Sequence, residues 1–531
     1  MQFKNITWFL LLALLATACQ SEFLEEEVFT FQAPKDYYSN EAEVEAAANG
    51  MYDALMTWDL WVQPSWVAIA LENDDMLGLD WVAGGYNGNQ NGQWYVERPW
   101  RGFYQVINRA NNVIDRVSII DFLEQDAQDA ALGQAYFLRG YCYYEVARWF
   151  GDAPIRTKSF DPAVDDQNAP RMPVAEVYRQ AATDLKTAAE LLPVNYQSAN
   201  YDDGDRGRPT SPAAWGLLAK VYMHMAGSEV GERQYFQEAS NAAQQVLAQA
   251  ADGFPALESE YMANFQQGTQ DQSSELLFSI QATQQPNEGP EIPRYYVPGN
   301  SAFAGGGGIG AITLREDFYL TFESGDQRVA FGPALFDQWI DLNGEQFYHF
   351  RTLPNQDIAG VLSEGVWDNG FGRFGTNRYQ LFSGAVVKGD PRFYIKKYMD
   401  ESSQVKDENG SNPIILRYAD VLLLLAEAEN EVNNGPTSLA YEVIDQVRQR
   451  AGLAKLVSGM GQRDFREAVR LERRHELYGE FQRRWDLIRW GTWLETMEAA
   501  NRPRQAYQRR FPISSEEIAA NAMINENNPG W

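Results

Sequence analysis

Apolar residues recur at three- and four-residue steps over both flanks of the chain and lose that rhythm in its middle. The pattern therefore predicts helices on the flanks and irregular structure between them. The first amphipathic helix starts after Asn40, a residue type suited to cap a helix, with Glu41 and Glu43 in its first turn, and runs to about Met56. Further helices are predicted over 100–117, 127–150, 173–191, 211–226 and 234–250, and again over 414–433, 437–452, 463–480 and 482–499. Within 127–150 the apolar stripe is Ala135, Leu138, Cys142, Val146 and Trp149, which makes Cys142 an inert core thiol. From about 252 to 412 Gly, Pro, Asn and aromatic residues dominate, with short strand-like runs such as 276–280 and turning segments GGGG at 305–308 and DENGSNP at 407–413. A second break covers 57–99, which holds Trp58, Trp61, Trp66, Trp81 and Trp94 together with the run GGYNGNQNGQW. Long loops of that composition in folded proteins tend to carry function.

Short connections containing Pro and Gly join the helices in pairs. The expected fold class is mostly α: a tetratricopeptide-like scaffold of helical pairs over about 41–250 and 413–500, with a loop-rich insert containing short strands over about 252–412. The intervals are irregular and lack the regular period of about 34 residues that such repeats show.

The N-terminus has Lys4, an apolar run from Ile6 to Leu15, and the small residues Ala16, Thr17 and Ala18 before Cys19. Residues 1–18 read as a secretory signal peptide, too short for a stable span. A cleavage site ending at a cysteine resembles the bacterial lipobox, which implies that Cys19 carries the lipid and becomes the mature N-terminus; an ordinary signal with a chance cysteine is the alternative. Residues 19–40 then form a lipidated tether packed by Phe23, Leu24 and Phe29. The acidic run Glu25–Glu27 is similar to signals that send lipoproteins of Bacteroidetes-type bacteria to the outer face of the outer membrane. No other apolar run reaches the roughly 18 residues that a span requires. The expected location is the cell surface, with the body of the protein held to the outer membrane by a lipid anchor.

The 531 residues include 73 acidic and 44 basic ones, a formal charge of −29, which becomes about −30 once Lys4 leaves with the signal. Such a field repels nucleic acid, and it disfavours densely sulfated or uronate polymers relative to neutral ones. A local cluster of Arg373, Arg378 and Arg392 would reverse that preference. Two cysteines and three scattered histidines (His224, His349 and His475) supply neither a disulfide framework nor a metal-binding pair, so no cofactor or metal is expected. The segment 202–207, DDGDRG, lacks the acidic spacing of a calcium loop and reads as a turn.

Sugars offer C–H faces that stack on indole and phenol rings, and hydroxyls that pair with Asp, Asn and Gln. The segment ENDDMLGLDWVAGGYNGNQNGQWY supplies both, and its candidate contacts are Trp81, Trp94 and Tyr86 as platforms with Asn73, Asp74 and Asp75 as hydrogen-bonding groups. Secondary candidates are Tyr296, Trp339, Trp367 and Arg378. Trp58, Trp66 and Trp100 fit core positions near helix ends, whereas exposure and burial both suit Trp81, Trp94 and Tyr86. A glycosidase needs two carboxylates across one bond, but Asp74 and Asp75 are adjacent and point apart on an extended chain. No nucleophile elbow, phosphate loop or dinucleotide fingerprint is present. The charges of Arg473, Arg474, Glu476, Arg484, Asp486 and Arg489, interleaved with Leu477, Phe481, Trp485 and Trp490, point to a helix-to-helix ion-pair network joined by Arg417, Asp420 and Glu427.

Several segments, in order, resemble the SusD/RagB family of nutrient-binding surface lipoproteins: CQSEFLEEE at the tether, WRGFYQVINRANNVID at 100–115, AYFLRGYCYYEVARWFGDAPI at 135–155, FESGDQR at 322–328, ILRYADVLLLLAEAENE at 415–431, RRHELYGEFQRRWDLIRWG at 473–491, and the terminal FPISSEEI with NPGW. The resemblance covers the chain from Cys19 to Trp531 and treats 41–531 as one SusD-like domain. It implies a tetratricopeptide-containing scaffold, a binding surface for glycan or peptide fragments on its loops, and partnership with a SusC-like TonB-dependent transporter of a polysaccharide-utilisation system. The function expected is non-catalytic glycan binding and delivery. A surface glycoside hydrolase, or a structural lid of the transporter with no ligand site of its own, are the alternatives.

Overall fold

The computed structural model describes residues 38–78, 93–121, 123–160, 165–196, 207–251, 253–285, 288–297, 308–331, 334–340, 346–351, 378–382, 385–398 and 409–531. Helices α1 (Glu41–Asp53), α2 (Pro64–Ala70), α3 (Gln93–Val117), α4 (Gln125–Phe150), α5 (Val174–Leu191), α6 (Ser211–Ala226) and α7 (Tyr235–Ala250) occupy the N-terminal half. Asn40 caps α1, its side chain accepting from the Glu43 amide, and Thr210 does the same for α6 through Ala213. Each helix of the series α4 to α7 packs on the next, and the array continues through α11 (Tyr418–Val432), α12 (Ser438–Arg450) and α13 (Gln462–Leu477). The C-terminal part adds the short helices α14 (Arg483–Arg489), α15 (Trp493–Ala499) and α16 (Ser515–Ala520). The protein is thus mostly helical, and one contiguous apolar cluster runs from Val44 to Ile524. Trp66 and Trp100 are buried in it, Trp58 packs against it, and the buried Cys142 thiol is pushed well up by desolvation.

Three boundaries differ from the periodicity. The chain enters α11 through a strand, β8 (Ile414–Arg417), which pairs antiparallel with β2 (Leu276–Ser279), so the apolar run IILR is spent on a sheet before the helix begins. Predicted helix 482–499 is two helices, because Gly491 adopts φ 76°, where an added Cβ would lie 3.1 Å from the Cβ of Ser228. Helix α3 starts at Gln93 and passes through Pro99, about two turns earlier than expected.

The insert holds α8 (Ile292–Tyr296), α9 (Glu316–Tyr319) and α10 (Arg328–Phe331) and supplies five strands of a six-stranded antiparallel sheet, the sixth coming from the N-terminal half. The strands of the sheet are β1 (Met76–Gly78), β3 (Ile312–Leu314), β4 (Ala334–Ile340), β5 (Gln346–Arg351), β6 (Arg378–Phe382) and β7 (Ala385–Tyr394), in the order β1-β3-β7-β4-β5 with β6 also on β7.

The expected ion-pair network is present and buried. Glu476 accepts from Arg328 at 2.9 Å and pairs with Arg417 and Arg450, while Glu275 accepts from Arg417 and Arg450 at 2.7 Å each. Lys397 donates to the carbonyls of Glu476 (2.9 Å) and Tyr478 (2.8 Å) and to Glu480 (2.7 Å). Desolvation holds this ammonium down to about 8. A neighbouring set joins Asp420 to Lys220 (2.7 Å) and Arg473 (2.8 Å), and Arg489 to Glu427 (2.6 Å) and Asp486 (2.8 Å). Arg suits these positions because one planar fork satisfies two carboxylate oxygens at once.

Candidate functional site

Strand β1 leads directly into the tryptophan-rich segment, so the structure that fixes β1 fixes the departure of that segment. Asn73 supplies the turn: its side-chain oxygen accepts from the amides of Asp75 (2.9 Å) and Met76 (3.2 Å). Arg502 donates to the carbonyls of Asn73 and Met76 at 3.0 Å each, and the Arg315 amide donates to the carbonyl of Asp75 at 2.8 Å. Asp74 accepts two bonds from Arg483, at 2.8 and 2.9 Å, and pairs with Arg474 at 2.9 Å; Asp75 accepts from Arg474 at 2.6 Å. Burial opposes ionisation of Asp74, but the Arg483 hydrogen bonds and the two guanidinium charges outweigh it and hold the carboxyl below its usual value. Burial raises Asp75 instead, and the neighbouring Asp74 charge adds to it against the pull of Arg474.

These contacts correct the roles expected for Asn73, Asp74 and Asp75. They are 2%, 9% and 1% exposed and already engaged by protein partners, so they form the base from which segment 79–92 departs and not a ligand-facing edge. Tyr296 is corrected in the same way. Its ring is fully buried against Trp66 and Phe481, its hydroxyl donates to the Gly479 carbonyl at 3.3 Å, and burial pushes the phenol well up. Trp94 stands in the first turn of α3 and not in a loop; its indole, like the whole of Trp81, Tyr86, Trp367 and Cys19, lies outside the described residues. The turn at 202–207 lies largely outside them too.

Strand register shows where the candidate segments leave or reach the sheet. Gly78 pairs with Ile312, so the segment 79–92 leaves β1 where the glycine-rich stretch 298–311 arrives at β3. Leu314 pairs with Phe393 and Leu335 pairs with both Phe393 and Arg351, which puts the end of β5, and the departure of segment 352–377 carrying Trp367, at the same end of the sheet. Four strand spacings at about 4.8 Å set these departures roughly 19 Å apart, a span suited to several sugar units. Trp339 is not brought there. It pairs with Val387, six residues from Phe393, or about 20 Å along the sheet. Arg378 pairs with Gly389, about 13 Å from that end by the same rise per residue.

The return of the segment is held by contacts nearer the surface. Arg101 in α3 forks onto Asp59 at 2.8 and 2.7 Å, and Ser515 at the start of α16 donates to Glu97 at 3.2 Å. Sequence reasoning missed the partners of the acidic turn because Arg474 and Arg483 lie some 400 positions downstream, within a motif whose charges already had local explanations. Among the described residues no group of three or more His, Cys, Asp or Glu could hold a metal, and no helix is long and apolar enough to cross a membrane. His224 and His475 are buried, and desolvation holds both well below the usual histidine value.

Comparison with known proteins agrees with this architecture at both ends of the chain. The SusD family model matches residues 274–531, and the model described as starch-binding associating with outer membrane matches residues 22–223. SusD-like protein P25 of Formosa agariphila is 27% identical, the match covering 99% of this chain and 98% of the relative. A SusD homologue from Bacteroides thetaiotaomicron superposes with a TM-score of 0.72 at 23% identity, covering 94% of this chain and 98% of the other. A laminarin-binding SusD-like protein superposes at 0.68 with 21% identity over 93% of this chain and 100% of the other.

Proposed function

Because the chain belongs to the SusD/RagB family, we propose that it is a surface-tethered, non-catalytic glycan-binding protein that delivers oligosaccharides to a SusC-like TonB-dependent transporter in the outer membrane. The observation that supports the reading most directly is that the strand ends flanking segments 79–92, 298–311 and 352–377 lie at one end of a sheet whose base is pinned by Asp74, Asp75, Arg474 and Arg483. Trp81 and Trp94 are the proposed stacking platforms, with Tyr86 and Trp367 as further aromatic candidates. A rigid base with aromatic loops on it lowers the entropy lost on binding. The net charge favours a neutral glycan. The relative named as laminarin-binding gives a neutral glucan as the first ligand to try. Anchoring rests on Cys19, whose acylation would hold the body at the cell surface.

The test is calorimetric titration of a panel of neutral and anionic oligosaccharides, with reducing ends measured in parallel. Saturable binding without new reducing ends is expected. In Trp81→Ala, loss of one aromatic anchor should weaken binding by about 2 kcal/mol, roughly thirtyfold, at an unchanged melting temperature. Release of reducing ends would replace the reading with a hydrolase, and absence of binding to every glycan would replace it with a structural lid.

A further inference from the structure

A cavity of about 540 Å³ opens between the start of α7, α11, α13 and the end of α14, and its charge is opposite to that of the whole chain. Five arginines line it, Arg233, Arg463, Arg466, Arg470 and Arg489, against three glutamates, Glu427, Glu431 and Glu467, in a protein of formal charge −29. The guanidiniums divide into two sets. Arg466 is forked onto Glu431, and Arg489 is forked onto Glu427 and paired with Asp486, so both are satisfied and fixed.

The other three keep donors to offer. Arg463 is exposed and has no hydrogen bond or ion pair among the described residues. Arg233 is 68% exposed and reaches Glu431 only at 3.5 Å. Arg470 stacks on Trp490 with its guanidinium 4.7 Å from the ring centroid and touches Glu467 at 3.2 Å, while its Nε is buried without a partner. Burial, reinforced by the repulsion of Arg489 and Arg466, lowers the Arg470 guanidinium, although Glu427 and Glu467 pull the other way. An anion in the cavity would relieve that repulsion and supply the missing acceptor.

We propose that this cleft is a second binding site, for a phosphate or sulfate ester carried on a sugar-sized ligand, with Arg463, Arg470 and Arg233 gripping the oxyanion. Guanidinium forks match the paired oxygens of tetrahedral oxyanions, and such contacts are stronger than neutral hydrogen bonds. The volume selects the carrier: it falls within the range of about 300–1,000 Å³ typical of sites for whole small molecules. The indole of Trp490 is taken by Arg470 and Arg489, whose guanidiniums lie 4.7 and 5.0 Å from it, so charge and not stacking is what the cleft offers. The site is independent of the neutral-glycan reading above, since it shares none of the residues proposed for that surface.

The purified full chain would be titrated calorimetrically with glucose 6-phosphate, glucose 6-sulfate, glucose and inorganic phosphate at about 50 mM and about 200 mM salt, across which exposed charge pairing is progressively screened. Saturable binding of an ester, absent for glucose and several-fold weaker at the higher salt, is expected. Arg463→Gln and Arg470→Gln should each weaken it roughly tenfold or more, since each removes a charged donor. Arg463→Gln, on an exposed side chain, should melt like the wild type and so separate recognition from folding. Inorganic phosphate binding as tightly as the better ester would overturn the sugar-sized carrier and assign the cleft to the free ion. Heat from none of the four, or an Arg463→Gln variant that titrates like the wild type, would overturn the site.

Discussion

Asp74→Asn separates a ligand contact from a structural anchor. The substitution keeps the shape of the side chain and removes the charge that receives two hydrogen bonds from Arg483 and an ion pair from Arg474. Breaking a buried pair costs about 3–5 kcal/mol, and the low end applies here because Asp75 remains to partner Arg474 at 2.6 Å. Removing the Asp74 charge also eases the ionisation of Asp75, which Asp74 opposes. Unfolding entropy of about 2.1 cal/mol/K per residue gives roughly 1 kcal/mol/K for a chain of this size, so about 3 kcal/mol should lower the melting temperature by about 3 °C. The pH dependence has a definite sign. Asp74 is depressed in the folded state, so its stabilisation is present above the unfolded carboxyl value of about 3.9 and is lost as pH falls below it, a loss that the Asn variant should lack. Circular dichroism melts at pH 7 and at acid pH, with titration of the best glycan from the panel, check both halves. An Asn variant that melts with the wild type yet binds glycan tenfold more weakly would show that Asp74 is a contact after all and that the anchor argument is wrong.

Glu476→Gln should lower the melting temperature at pH 7 by about 3–5 °C on the same reckoning, because the carboxylate is fully buried among Arg328, Arg417 and Arg450. Trp100→Ala should cost about 3–5 kcal/mol of folding stability in a urea titration and leave glycan affinity per folded molecule unchanged, since its indole is 2% exposed and packed on Tyr104 and Phe150. Cys19→Ala should yield an unlipidated precursor with altered membrane partitioning, read by fractionation and by protease treatment of whole cells; equal membrane retention would refute lipidation at that residue.

Helices were legible because their signal is local. Stripes such as Ala135, Leu138 and Cys142 survive into the structure as buried faces, and the caps at Asn40 and Thr210 form as their residue types require. The charged core was legible for a related reason, since Arg and Glu alternating with Trp and Leu can be buried only in pairs. Sheet structure was not legible in the same way. β8 reads as the first turn of a helix until β2 pairs with it, and the three residues of β1 carry no period at all. Sequence chemistry also misplaced Asn73, Asp74 and Asp75, because a short polar run beside tryptophans suits a sugar and suits a salt-bridged turn equally well. Only the distant arginines distinguish the two.

The position of those arginines gives the fold its functional logic. Arg474 lies in the last turn of α13 and Arg483 begins α14, on either side of a turn in which Gly479 and Phe481 both adopt positive φ, 76° and 62°. A phenylalanine held in that conformation is strained and persists only when its surroundings overdetermine it. Here Trp61, Trp66, Tyr296 and Tyr398 surround the ring, and Glu480 in the same turn accepts from Arg417 and Lys397. The turn therefore bolts the aromatic core, the buried charges and the base of β1 into one unit. The segments that leave such a unit start from fixed points, which is what the proposed glycan surface requires of its base.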